Sequence, residues 1–446
     1  VPDEKPFHLR GNFAPVADEV TAFDLAVEGA LPPELCGLYV RNGANPAHGD
    51  SPHWFFGDGM LHGVRLERGR AAWYRNRWVR TRHFEHPEAQ RISAEGKFDR
   101  TLSTANTHVM PHAGRILALE EGSFPYVVDG ELATVGCLDY DGRLQAAMTA
   151  HPKVCPETGE LFGFGYSPLA PYLTYHRVSA DGKTLHSEEI PVGGPTMIHD
   201  FAITRTHALF MDLPVVFDMP LALRGLMPYH WSDTYPARIG IMPRDGAAAD
   251  LRWFEIEPCY VFHGLNAYDD GDRVVFDVCR IPELWRDPTR LMGNGRVKLH
   301  RFTFDLAGGG VKEETLDDRG QDFPRVADAC TGLRHRFGFT VQIAELPDGS
   351  PALGALIKHD FATGRSASHD FGRGRKPSEA VFVPAEGADP TSDEGYLMTY
   401  VHDEGTGRSE FVVLDASRIE AAPLARVSLP QRVPYGFHGS WVADAT

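Results

Sequence analysis

The stretch YVFHGLNAYDDGDRVVFDVCRI, residues 260 to 281, carries the reading that decides the fold. Its second half, RVVFDVCRI, is a run of β-branched and apolar residues, the type that fits a pleated, half-buried surface. Asp270-Gly271 stands just before that run, and Asp-Gly favours the tight reversals of β-hairpins. The same unit, a short apolar or alternating run beside Asp-Gly, recurs at Asp129-Gly130, Asp141-Gly142, Asp181-Gly182, Asp245-Gly246 and Asp348-Gly349. RILALEE, 115 to 121, precedes the first of the six turns, and TLHSEEIPV, 184 to 192, follows the third. Helix signals are few, and no sequence repeat of the WD40 kind is visible. The pattern predicts an all-β, meander-rich architecture.

Composition agrees with that reading. The 446 residues are 42% hydrophobic and 24% charged, near globular averages, so apolar surface suffices for a large core. Forty-five Gly and 33 Pro supply many chain reversals, which suits short strands better than long helices. The length leaves one or two domains open, since large propellers form single units. A formal charge of -17 offers no basic excess to displace counterions from a phosphate backbone, which argues against nucleic-acid binding. The six cysteines, at 36, 137, 155, 259, 279 and 330, include no CxxC pair and read as reduced core thiols. No run reaches the roughly 18 to 20 apolar residues of a spanning helix. The start, VPDEKPFHLRG, lacks a charged-then-apolar leader pattern, and without an initiator Met it leaves room for an earlier targeting segment. The expected location is cytoplasmic.

One segment breaks the rhythm. Leu213 to Trp231, LPVVFDMPLALRGLMPYHW, is rich in Leu, Met, Val and aromatics. Two readings stay open: a buried connection, or an exposed apolar patch that touches a membrane or admits a greasy substrate.

Among 21 histidines, four have unusual settings: His151 in HPKVCPETGELFGFGY, His199 in MIHDFAIT, His263 in YVFHGLNAY and His438 in PYGFHGSWV. Each sits beside apolar or aromatic residues at an expected strand end, where a buried imidazole needs a partner. Successive separations of 48, 64 and 175 residues exclude a local metal motif. The four can converge only if successive sheets surround a common axis, as in a propeller. Imidazoles suit iron, copper and zinc alike; four of them on an octahedral ion leave two positions for dioxygen and a nearby alkene. The competing reading is four unrelated core histidines. In FFGDGMLHG, 55 to 63, the glycines match neither GxGxxG nor a GK[ST] ending, so this is a hairpin turn and His62 is structural.

The segments 42 to 66 (NGANPAHGDSPHWFFGDGMLHGVRL), 149 to 175 (TAHPKVCPETGELFGFGYSPLAPYLTY), 197 to 204 (MIHDFAIT), 321 to 326 (QDFPRV), 378 to 386 (SEAVFVPAE), 395 to 409 (GYLMTYVHDEGTGRS) and 432 to 442 (RVPYGFHGSWV) closely resemble, in order, the carotenoid cleavage oxygenases. The resemblance implies one seven-bladed β-propeller domain over residues 1 to 446, capped by loops and short helices, with Fe(II) on its axis. It maps the metal ligands onto His151, His199, His263 and His438. Behind them it places three carboxylates: Glu121 for His199, Asp322 for His263 and Glu379 for His438, leaving His151 without an acidic partner. Some branches have Glu where this chain has Asp322; the shorter side chain implies a longer contact or a bridging water there.

The implied chemistry is oxidative scission of an alkene by dioxygen to two carbonyl products, with no organic cofactor, reductant or general acid or base. The partners are O2 and an apolar polyene, with peripheral membrane contact through Leu213 to Trp231. In the branch that cleaves hydroxylated stilbenes a Lys precedes the first outer carboxylate and a Tyr stands in a YVRT-like segment. This chain has Glu120 and Trp78 there, and both departures favour a more apolar substrate. Phe56 joins them as a substrate-pocket candidate. The alternatives are stilbene or phenylpropene cleavage, a metal-free binding propeller, and an isomerase that keeps the iron site.

Overall fold

The computed structural model describes residues 5–47, 51–93, 97–287 and 295–444. Seven antiparallel sheets of four or more strands account for most of them, and the fold class is the all-β, seven-bladed propeller. Helices are short: Arg82–Glu85 and Met219–Leu223 are the α-helices among the described residues, and no helix there is long and apolar enough to cross a membrane. By density of internal contacts the chain divides into two compact units, one of Val1–Gln145, Ala355–Lys358 and Ala367–Thr446, the other of Ala146–Gly354 and His359–Ser366.

In the first unit the C-terminal strand Gly439–Ala443 pairs with Gly37–Arg41, so the end of the chain completes the sheet that its beginning starts. Arg41 lies opposite Gly439, which fixes the residue before it, His438, at the head of that strand. The core between this sheet and the one containing Gly395–Asp403 and Arg408–Asp415 is aromatic: Tyr39, Tyr74, Tyr400 and Phe411 are fully enclosed. His62, on the strand Met60–Glu67, is bonded through Nδ1 to the Tyr74 hydroxyl at 2.8 Å, and its carbonyl accepts from Tyr400 at 2.9 Å. Burial and the nearby Arg41 push its pKa well below the ordinary value.

Three meanders of the second unit share one plan. They begin at Lys153–Val154, Phe201–Ile203 and Tyr260–Asp270, and the first strand of each follows or carries a candidate ligand. The quoted hairpin is as expected: Asp270 pairs with Arg273, and Gly271 supplies the left-handed φ of +62° that a side chain would oppose. Asp129-Gly130, Asp181-Gly182, Asp245-Gly246 and Asp348-Gly349 also lie between successive strands. Asp141-Gly142 lies between Thr134–Cys137 and Lys153–Val154, but these strands belong to different sheets and it closes no hairpin. Phe162, Phe164, Ile198, Phe201, Phe210 and Met242 share one buried cluster, so the residues bracketing His199 are anchored by burial.

None of the six cysteines is in a disulfide, but only four are core residues: Cys36 is partly exposed and Cys137 exposed. The segment 213 to 231 is buried at its two ends and exposed between them. Leu213, Val215 and Trp231 are buried and the short strands Val215–Phe217 and Tyr229–Trp231 pair. Between them the helix Met219–Leu223, capped by Asp218, carries exposed Met219 and Leu223, the latter 81% accessible, with Leu226 beyond.

Candidate metal centre

The second unit brings three of the four histidines together. Nε2 of His199 lies 3.0 Å from Nε2 of His151 and 3.3 Å from Nε2 of His263. All three imidazoles are buried, and their planes cross at 55° to 72°. A ring nitrogen without its proton presents only a lone pair. Three of them this close repel one another unless a proton or a cation lies among them, and imidazole nitrogen is a good donor to first-row transition metals.

The other face of His263 shows which tautomer is present. Its Nδ1–H donates to Asp322 Oδ1 at 2.8 Å, which leaves Nε2 as the basic nitrogen, the usual arrangement of a ligating histidine. The expected long or water-bridged contact at Asp322 is absent; the aspartate reaches directly. Two backbone irregularities make this possible. The pairing of Gln321–Arg325 with Phe337–Glu345 slips between Asp322 and Arg325, and Phe323 takes a left-handed φ of +53°. Such a bulge re-aims a side chain, and a non-glycine in this region is strained backbone of the kind found at functional sites. Phe323 then stacks on His263 at 5.4 Å between ring centroids. Its own amide donates to Asp322 Oδ1 at 2.9 Å. Sequence reading missed Phe323, although it follows Asp322 in QDFPRV.

His438, in the first unit, has a matching support. Its Nδ1–H donates to Glu379 Oε1 at 2.8 Å, and the amide of Gly439 donates to Glu379 Oε2 at 2.9 Å. Both residues are buried. Near them the wholly enclosed Arg41 donates to Ser378 Oγ at 2.9 Å and to the Pro434 carbonyl. Burial lowers the pKa of its guanidinium, and neighbouring tyrosines and Glu379 oppose that shift. Glu121, half-buried, follows the strand Arg115–Leu119.

The three pocket candidates have different immediate partners. Trp78 borders a cavity of about 750 Å³ whose walls include Arg77, Arg80, Arg82 and Tyr126, and neither Phe56 nor Glu120 is among its lining residues. The Trp78 indole N–H donates to the Asn45 carbonyl at 2.9 Å. Phe56 is half-buried, 5.6 Å from the His53 ring. Glu120 is paired with Arg91 at 3.3 Å. A cation thus stands beside position 120, a pairing across 29 residues that no local pattern announces.

The family model for retinal pigment epithelial membrane protein matches residues 13–443. The chain is 40% identical to a carotenoid cleavage oxygenase of Mycobacterium tuberculosis, over 97% of each protein. It is 39% identical to carotenoid 9,10(9',10')-cleavage dioxygenase 1 of Arabidopsis thaliana, over 98% of this chain and 90% of that protein. Among solved structures, the lignostilbene dioxygenase of Pseudomonas brassicacearum superposes with a TM-score of 0.89 at 29% identity, covering both chains completely.

Proposed function

Since the chain belongs to the retinal pigment epithelial membrane protein family, that of the carotenoid cleavage oxygenases, we propose that it cleaves one double bond of a carotenoid or apocarotenoid with O2, using Fe(II) held by His151, His199, His263 and His438. The chain is a dioxygenase of that family. The observation that carries the metal assignment is the convergence of three buried Nε2 atoms, one of them backed by a carboxylate on Nδ1. His438 has the same support from Glu379, and the resemblance assigns Glu121 to His199. These donors fit Fe(II), and the resemblance selects it over copper or zinc.

Bound iron would supply the binding and activation of dioxygen. The chain's residues do the rest. Asp322 and Glu379 fix the orientation of their imidazoles and offset the charge that the nitrogen ligands leave uncompensated. Phe262, 5.1 Å from His199, and Phe323 on His263 place aromatic surface against the ligands and limit the approach of water. Both oxygen atoms end in the two carbonyl products, so the reaction needs no reductant and no group that gains or loses a proton.

The substrate reading rests on the carotenoid-cleaving relatives at 40% and 39% identity and on Glu120. Cleavage of hydroxylated stilbenes is the second reading, favoured by Arg91 beside Glu120, since a guanidinium can take a phenolic oxygen. Product identification by mass spectrometry from a panel of carotenoids, apocarotenals and stilbenes decides between them. The unmodified chain should cleave an apocarotenal and leave resveratrol largely intact; the reverse preference would overturn the substrate reading. Glu120→Lys should raise the resveratrol-to-apocarotenal rate ratio roughly tenfold, the worth of one charge-assisted hydrogen bond.

The exposed Met219, Leu223 and Leu226 are the proposed point of contact with the lipid that holds such substrates. Helix Met219–Leu223 displays them around its tip, and apolar side chains at the headgroup boundary add affinity with buried area. Leu223→Glu should reduce co-sedimentation with phosphatidylcholine vesicles at least threefold while leaving turnover of detergent-dispersed apocarotenal unchanged. Equal sedimentation of the two proteins would remove the segment from consideration.

A further inference from the structure

Asp200, which follows His199 in MIHDFAIT, is 1% accessible and has no place in the chemistry above. Its carboxylate joins three segments of the second unit. Oδ1 accepts from Lys153 Nζ at 2.8 Å and from the Phe201 amide at 2.7 Å. Oδ2 accepts from the Gly264 amide at 2.9 Å. Lys153 lies two residues after His151, and Gly264 one residue after His263. One carboxylate thus holds the chain next to all three of the converging imidazoles.

The local backbone explains why an acid is needed. The ladder between Tyr260–Asp270 and Arg273–Ile281 is irregular on both sides of Gly264. Asp200 gives the amide at that irregularity its acceptor, and a buried N–H without one is costly. A side chain at 264 would meet the Phe276 ring at 2.7 Å, so glycine lets the strand lie close to both Phe276 and the carboxylate. Lys153 contributes a cation that is itself largely covered, at 22% side-chain exposure. In this setting a charge-assisted bond is short and holds geometry better than an exposed pair.

We propose that Asp200 is the positioning residue that sets the separation of His151, His199 and His263. This rests on the reading of those histidines as metal ligands. Neither oxygen can be replaced without loss. Asn at 200 retains one acceptor but turns an NH2 towards either the Lys153 ammonium or the Gly264 amide, donor against donor. Outer partners of ligands typically govern about 10- to 100-fold in metal affinity, and the same range is expected here.

The test is an anaerobic titration with Co(II), followed by its visible absorption and by equilibrium dialysis, on the full chain and its variants. Asp200→Asn should bind Co(II) about 10- to 100-fold more weakly and shift the ligand-field bands, because the donor geometry relaxes. Lys153→Met should weaken binding by a smaller factor, and Lys153→Arg should restore it. Thermal melting of the metal-free proteins separates this from a folding defect; if Asp200→Asn does not fold, the two Lys153 variants carry the test. An unmodified chain that takes up neither Co(II) nor Fe(II) would defeat the ligand reading itself. A normal titration of the unmodified chain, matched in affinity and spectrum by Asp200→Asn, or by Lys153→Met where that variant stands in, would overturn the role of Asp200 alone.

Discussion

His263→Ala is expected to purify anaerobically with little iron and to lose cleavage activity by more than about a hundredfold, beyond the upper end of what an outer partner's removal costs. His263 is tied into the centre on both faces. Nε2 stands 3.3 Å from His199 Nε2, and Nδ1–H satisfies the buried Asp322 at 2.8 Å. Truncation removes a nitrogen donor, leaves the carboxylate with one fewer hydrogen bond, and takes the stacking surface from Phe323. Loss of that charge-assisted hydrogen bond alone should cost about 1.5 to 3 kcal/mol of stability, visible as a lower melting temperature of the metal-free protein. Metal analysis by mass spectrometry is the deciding measurement. Near-stoichiometric iron in the variant would remove His263 from the ligands; an unmodified chain without near-stoichiometric iron, and with no loss on the substitution, would support a metal-free binding propeller instead.

Glu379→Gln should weaken Fe(II) binding about 10- to 100-fold, measured by anaerobic dialysis. The wild-type carboxylate serves two donors at once, His438 Nδ1–H and the Gly439 amide. Glutamine has one oxygen for the two, and its NH2 must face the other donor. The substitution also removes a negative charge near the enclosed Arg41 guanidinium, leaving Arg41 to its bonds with Ser378 and Pro434. Metal affinity and the stability of the metal-free protein should therefore fall together. A change in affinity of less than about threefold, well under the effect of a genuine outer partner, would show that Glu379 is structural only.

The fold was legible because Asp-Gly turns and strand-forming runs act locally. Of the six Asp-Gly pairs singled out in the sequence, five join strands that pair with each other, and the sixth, Asp141-Gly142, connects strands of different sheets. The cysteines show the limit of that reasoning. Nothing in their neighbourhoods distinguishes Cys137, which is exposed, from Cys155, which is buried, since burial depends on what another sheet lays over the position. Residues 213 to 231 were ambiguous for the same reason: composition shows that the segment is apolar, but only the hairpin geometry turns Leu223 outward while Leu213 faces in.

By itself, the sequence determined the all-β class, the family and the histidines and acids to consider, because turn chemistry, hydrophobic patterning and ordered motifs are written in neighbouring residues. Tertiary structure alone decided how the candidates meet. Asp322 reaches His263 directly because a bulge and the left-handed Phe323 re-aim it, and Arg91 pairs with Glu120. Asp200 spans from Lys153 to Gly264. Each is a contact between residues 29 to 64 positions apart, and a hydrogen bond is sensitive to tenths of an ångström. Distances of that kind are set by the packing of whole sheets, which no local pattern encodes.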